Sequence, residues 1–211
     1  MFSSASTYMN LPNLLTISRV PLMFIVVALM YAKAPWAATV AFWLFIVAAL
    51  TDWLDGKIAR ERGEVSSFGR FMDAVIDKVM VIGILIALVN GGYFVLRDGE
   101  YSLAQNIVAM MLLLCILCRE FAISGLRMAA ASRGQIVEAD TGGKVKTFVQ
   151  LNAIGWLMGA RMLGQGFDFH REDPIRWNVQ LIGILLFVLS AVLTVTSGIT
   201  YFRRHGHVLF K

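Results

Sequence analysis

Six apolar stretches, each about as long as a bilayer is thick, dominate this chain of 211 residues. A hydrocarbon core of about 30 Å takes roughly 20 helical residues per crossing. Residues 14–31, 35–55, 71–94, 104–131, 147–167 and 177–202 meet that length. Inside lipid every backbone N–H and C=O must be satisfied within the protein, so such stretches fold as helices. The expected fold class is all-α: a polytopic membrane protein built as a six-transmembrane-helix bundle. Charged residues make up only 16% of the chain, against about a quarter in soluble domains. No polar stretch is long enough to enclose a core of its own, so residues 1–211 are expected to form a single membrane-embedded domain. The first ten residues lack the basic region and cleavage site of a signal peptide, which leaves the first apolar stretch in place.

The connections are short. Ser66, Ser67 and Gly69 mark the second turn, and Gly91, Gly92, Asp98 and Gly99 the third. Basic residues set the orientation, because cytoplasmic loops carry the excess of Lys and Arg. Lys57, Arg60, Arg62, Arg70, Arg133, Lys144, Lys146, Arg203, Arg204 and Lys211 fall on one side. The other side holds Lys33, Arg97, Arg171 and Arg176, diluted by Asp98, Glu100, Glu172 and Asp173. Both termini are therefore expected in the cytoplasm. A net charge of +5 suits anionic lipid or phosphorylated substrates, and no nucleic-acid motif competes with that reading. Cys115-x2-Cys118 lacks a second pair and reads as packing. Gly155-x3-Gly159 is a small-residue helix-packing motif, suited to a homodimer seam or equally to contacts within the chain.

Against this apolar background stand four carboxylates, in the pattern Asp52-x2-Asp55-Gly56-x2-Ala59-Arg60-x8-Gly69-x3-Asp73-x3-Asp77. Ionised groups near lipid are costly and mark function. Asp52 and Asp55 share one helical face near the cytoplasmic boundary, and Asp73 and Asp77 share another one turn apart. An antiparallel hairpin of the second and third spans would bring all four into one pocket. Hard oxygen ligands in two pairs suit two divalent cations, a common way to handle phosphate-bearing substrates. Gly56 leaves room for a ligand, and Arg60 can grip a phosphate bidentately. Asp77 is the deepest of the four, and a carboxylate partly withdrawn from water suits a general base. The plainer alternative is a set of helix-end charges paired with Lys57, Arg60, Arg70 and Lys78. Four carboxylates in register with the glycines and the arginine speak against it.

The pattern resembles the motif of the CDP-alcohol phosphatidyltransferase family at every fixed position. Asn13-Leu14-Leu15-Thr16-x2-Arg19, Arg119-Glu120-x3-Ser124-x-Leu126-Arg127 and Gly143-Lys144-Val145-Lys146-Thr147 are similar to further segments of a bacterial branch of that family. That branch often has proline after the third aspartate, where this chain has Ala74. The resemblance implies transfer of a phosphatidyl group from CDP-diacylglycerol to an alcohol, with release of CMP. It implies two Mg2+ or Mn2+ ions on Asp52, Asp55, Asp73 and Asp77, and Asp77 as base. Asn13, Thr16, Gly56, Arg60 and Ser66 are implied as contacts of the CDP-diacylglycerol.

Charge narrows the acceptor. Arg119 and Glu120 fall about 22 Å along the fourth span, deep enough to need a polar cavity or each other. Arg127 follows two turns later, and Lys144 and Lys146 lie past the next turn. These four cations suit the phosphate of sn-glycerol 3-phosphate. The competing interpretation pairs Arg119 with Glu120 and leaves Arg127, Lys144 and Lys146 as cytoplasmic-side anchors. Arg161 is expected to snorkel to the far interface. Rival functions are the same chemistry on inositol phosphate, serine or phosphatidylglycerol, a divalent-cation transporter, and an inactive scaffold.

Overall fold

The structure, a computed structural model, describes residues 11–62, 67–95, 103–132, 141–170 and 173–206, with side chains set aside at 11–17, 52–62, 67–74, 141–142 and 144. Among the described residues there are six α-helices and no strand. They are α1 (Leu11–Tyr31), α2 (Ala37–Arg62), α3 (Ser67–Asn90), α4 (Leu103–Ser132), α5 (Thr141–Gly166) and α6 (Pro174–His205). The all-α expectation is met. Two of the helices, α4 and α6, are long and apolar enough to cross a membrane.

The helices outrun the apolar stretches at several ends. α2 continues to Arg62 although its apolar residues stop by 55, and α5 starts at Thr141 rather than 147. The i to i−4 hydrogen-bond ladder does not end at the lipid boundary, and Lys, Arg and Glu are good helix formers. The aspartate motif and the lysines of α5 are therefore carried on helix rather than loop. Local chemistry explains other ends. α6 opens with extended Asp173 followed by Pro174, whose missing N–H is no loss in a first turn. α3 ends on Gly92 at φ 71°. There Tyr93 N–H donates to Leu88 O at 3.2 Å and Gly92 N–H to Val89 O at 3.4 Å, a glycine-dependent Schellman closure.

Contacts among the described residues close the helices into a ring in the order α1–α3–α4–α6–α5–α2, with α3 and α5 also touching across it. Among the described residues α1 packs against both α2 and α3. The core inside holds Ile84, Leu85 and Leu88 of α3, Leu113 and Ile116 of α4, Ile154 and Leu157 of α5 and Phe187 of α6. Phe94 and Phe187 meet at 4.8 Å between ring centroids. α4 buries Ala109, Leu113, Ile116, Ile123, Leu126 and Ala130, a single stripe. Its other side exposes Val108, Met111, Phe121 and Met128. An outer surface this apolar is made for lipid. Hydroxyls in α6 are satisfied locally: Ser190 donates to Phe187 O at 2.8 Å and Thr194 to Ser190 O at 2.6 Å.

Small residues set the close approaches. A Cβ on Gly183 would fall 2.9 Å from Leu157 Cγ, so α6 lies tight on α5 there. A Cβ on Gly159 would stand 3.6 Å from Phe42 and 3.9 Å from Val179, and one on Gly155 3.8 Å from Phe45. The glycine pair therefore faces α2 and α6 of its own chain. It borders an apolar groove of about 640 Å³ between α2 and α5, whose walls include Leu50, Phe148, Leu151 and Trp156. Cys115 and Cys118 are exposed free thiols on α4. Arg161 lies beside the turn that follows α3, its guanidinium carbon 5.4 Å from the centroid of the Tyr93 ring, a cation–π contact.

Candidate active site

A cavity of about 510 Å³ that holds a cluster of charged groups opens between α3, α4, α5 and α6. Asp77 and Lys78 enter it from α3, Arg119, Glu120 and Arg127 from α4, Lys146 and Gln150 from α5, and Tyr201 from α6. The spacing along α4 explains how one helix supplies three charged groups. Arg119 and Arg127 are about two turns apart on one face, and Glu120 sits beside the first.

Glu120 binds two helices together. Arg119 Nη1 donates to Glu120 Oε1 at 2.9 Å, and Lys146 Nζ pairs with the same oxygen. The three side chains are 12%, 13% and 5% exposed in that order, so the triad is almost enclosed. Arg119 also donates from Nη2 to Ser197 Oγ at 3.2 Å. Arg127 donates from Nε to Tyr201 Oη at 3.0 Å and lies 5.4 Å from the centroid of that ring. On the opposite wall Asp77 Oδ1 is 3.7 Å from Nη1 of the buried Arg19. α1 thereby reaches the deepest of the four aspartates.

Four cations, Lys78, Arg119, Arg127 and Lys146, line the cavity with two carboxylates, Asp77 and Glu120. Among the described residues the lining carries two positive charges in excess.

The residues singled out in the sequence divide as follows. Asp77, Arg119, Arg127 and Lys146 come together around this one cavity. Asp52, Asp55, Gly56 and Arg60 ride on α2, Asp73 on α3, Asn13 and Thr16 on α1, and Lys144 on α5, where the backbone but not the side chain is described. Ser66 lies outside the described residues. Arg119 and Glu120 pair with one another and both line the cavity. Lys146 is buried and ion-paired rather than an interfacial anchor. Sequence reasoning missed the place of Lys78, the contact of Arg19 with Asp77, and the part α6 takes in the cavity. A signal for α6 was present: Ser197, Gly198 and Tyr201 share one face at the end of a long apolar stretch.

The model of CDP-alcohol phosphatidyltransferases matches residues 9–201, which is nearly the whole chain. The chain belongs to that family. Two bacterial relatives are named CDP-diacylglycerol–glycerol-3-phosphate 3-phosphatidyltransferase. The one from Bacillus subtilis is 31% identical over 212 residues, covering 95% of this chain and 97% of the relative. The one from Salmonella choleraesuis is 36% identical over 194 residues, covering 91% and 92%. A rice protein named cardiolipin synthase (CMP-forming) is 34% identical over 209 residues, covering 96% of this chain. The match spans only 59% of the rice protein's own length.

CDP-alcohol phosphatidyltransferases are generally dependent on divalent metals. The donor chemistry here fits such an ion: carboxylates spaced i, i+3 on α2 and i, i+4 on α3 offer hard oxygens from two helices.

Proposed function

We propose that this phosphatidyltransferase carries the phosphatidyl group of CDP-diacylglycerol to sn-glycerol 3-phosphate, forming phosphatidylglycerophosphate and releasing CMP. One observation carries the choice of acceptor: the two-charge positive excess around the cavity. A phosphomonoester brings about −1.5 to −2 charges at neutral pH, which matches that excess. Phosphatidylglycerol, the acceptor suggested by the rice relative's name, brings a phosphodiester with a single negative charge, which would answer only part of that excess.

In this reading Asp77 accepts the proton of the acceptor hydroxyl. That oxygen attacks the phosphorus bonded to the diacylglycerol, and the bond to the CMP oxygen breaks. Arg119, Arg127, Lys144 and Lys146 hold the acceptor phosphate, while Arg19 keeps the Asp77 carboxylate in place. Asn13, Thr16, Gly56, Arg60 and Ser66 hold the CDP-diacylglycerol. Two Mg2+ or Mn2+ ions on Asp52, Asp55, Asp73 and Asp77 would supply charge neutralisation at the pyrophosphate.

The reading extends to the membrane. All six helices span the inner membrane of a bacterium, with the cavity and both termini toward the cytoplasm, and lipid acyl chains leave sideways between helices. A homodimer would form away from Gly155 and Gly159, which are used within the chain. The test is product analysis: purified protein receives CDP-diacylglycerol with either glycerol 3-phosphate or phosphatidylglycerol. Phosphatidylglycerophosphate and CMP are expected from the first mixture. Cardiolipin from the second, with no product from the first, overturns the assignment.

A further inference from the structure

We propose that α6 aims the two arginines of the cavity, with Tyr201 the positioning residue for Arg127 and Ser197 and Gly198 the positioning residues for Arg119. The inference deepens the proposed function and rests on it for the identity of the anion, a phosphomonoester.

An arginine side chain has about 2 kcal/mol of rotamer entropy to lose when it is fixed on a ligand. A site that fixes it beforehand binds the anion more tightly. Ser197, Gly198 and Tyr201 are at i, i+1 and i+4 of α6, so they form one patch facing α4. Each restrains a different part of an arginine. Ser197 Oγ accepts from Arg119 Nη2 at 3.2 Å. A Cβ on Gly198 would fall 2.8 Å from Arg119 Cγ, so the stem of Arg119 lies directly on the α6 backbone. Tyr201, 2% exposed, holds Arg127 twice, by its hydroxyl at 3.0 Å and by its ring.

The kind of restraint matters. Arg127 has no carboxylate partner among the described residues. A phenol fixes it without cancelling its charge. Only Nε is used, so the two terminal nitrogens keep four N–H donors, the fork that grips a phosphate. Arg119 differs: Glu120 neutralises part of its charge, and α6 supplies the neutral contacts.

The test is a kinetic split in Tyr201→Phe, which keeps the ring and removes the hydroxyl. Rates are measured against glycerol 3-phosphate at saturating CDP-diacylglycerol, and then with the roles reversed. The expected result is an acceptor KM raised about tenfold, the scale of one charge-assisted hydrogen bond. Both kcat and the KM for CDP-diacylglycerol stay within about twofold. An unchanged acceptor KM, or kcat and both KM values worsening together, overturns the proposal. Should Tyr201→Phe fail to fold, Ser197→Ala is read by the same criteria for Arg119. Wild-type product identity judges the proposed function separately. Thermal stabilisation by inorganic phosphate judges the aiming: Tyr201→Phe should need several-fold more phosphate than wild type for an equal shift, and equal demand overturns it.

Discussion

Replacing Glu120 with Gln puts the triad between α4 and α5 to a quantitative test. The carboxylate lies 2.9 Å from Arg119 and also holds Lys146. At an effective dielectric near 20, one such contact is worth about 6 kcal/mol before desolvation is charged against it. Removing one partner of an enclosed pair typically costs about 3–5 kcal/mol, because the remaining charges are left buried and uncompensated. Glutamine keeps an oxygen for Arg119, so about 3 kcal/mol is expected. For a chain of this length that corresponds to a melting temperature lower by about 6–12 °C. Thermal unfolding in detergent, followed by circular dichroism, measures it. The same substitution raises the cavity's positive excess from two to three. Inorganic phosphate should therefore stabilise Glu120→Gln more than wild type and narrow the gap between them. If the variant melts with wild type, or phosphate shifts both equally, the triad does not hold the helices together as argued.

Asp77→Asn should leave CDP-diacylglycerol binding measurable while CMP release falls at least about a hundredfold; normal turnover would remove Asp77 from the base role. Lys146→Met, which leaves Glu120 paired with Arg119 alone, should raise the acceptor KM at least about tenfold, and steady-state kinetics with an unaltered KM would refute it. Gly183→Ala places a Cβ 2.9 Å from Leu157 Cγ, an overpacking expected to cost about 1–3 kcal/mol. It should show as a lower melting temperature with both KM values unchanged.

The helices were legible because lipid imposes a length and a composition that the sequence cannot hide. Their ends were less legible, since a helix is free to continue through Lys, Arg and Glu past its apolar stretch, as α2 and α5 do. Charges deep in α4 announced a polar cavity, and Arg119, Arg127 and Lys146 do line one. Which group answers each charge was not legible. The meeting of Glu120 with Lys146, or of Arg19 with Asp77, depends on how separate helices are arranged around the ring. Arg161 makes the same point: its stem length suggested an end-of-span position, but not that Tyr93, in the turn after α3, would lie against it. α6 stayed silent for a different reason, because serine, glycine and tyrosine carry no formal charge. Their importance lies in what they hold.

α5 serves two compartments at once. Lys146 and Gln150 look into the charged cavity, Gly155 and Gly159 border the oily groove against α2, and Phe148 and Leu151 belong to both. Each residue added to a helix turns everything beyond it by about 100°. A single insertion between Gln150 and Gly155 would swing the glycines off α2 while leaving the lysine where it stands. Evolution can exchange side chains along this stretch one by one, but it cannot alter their number without putting the two faces out of phase.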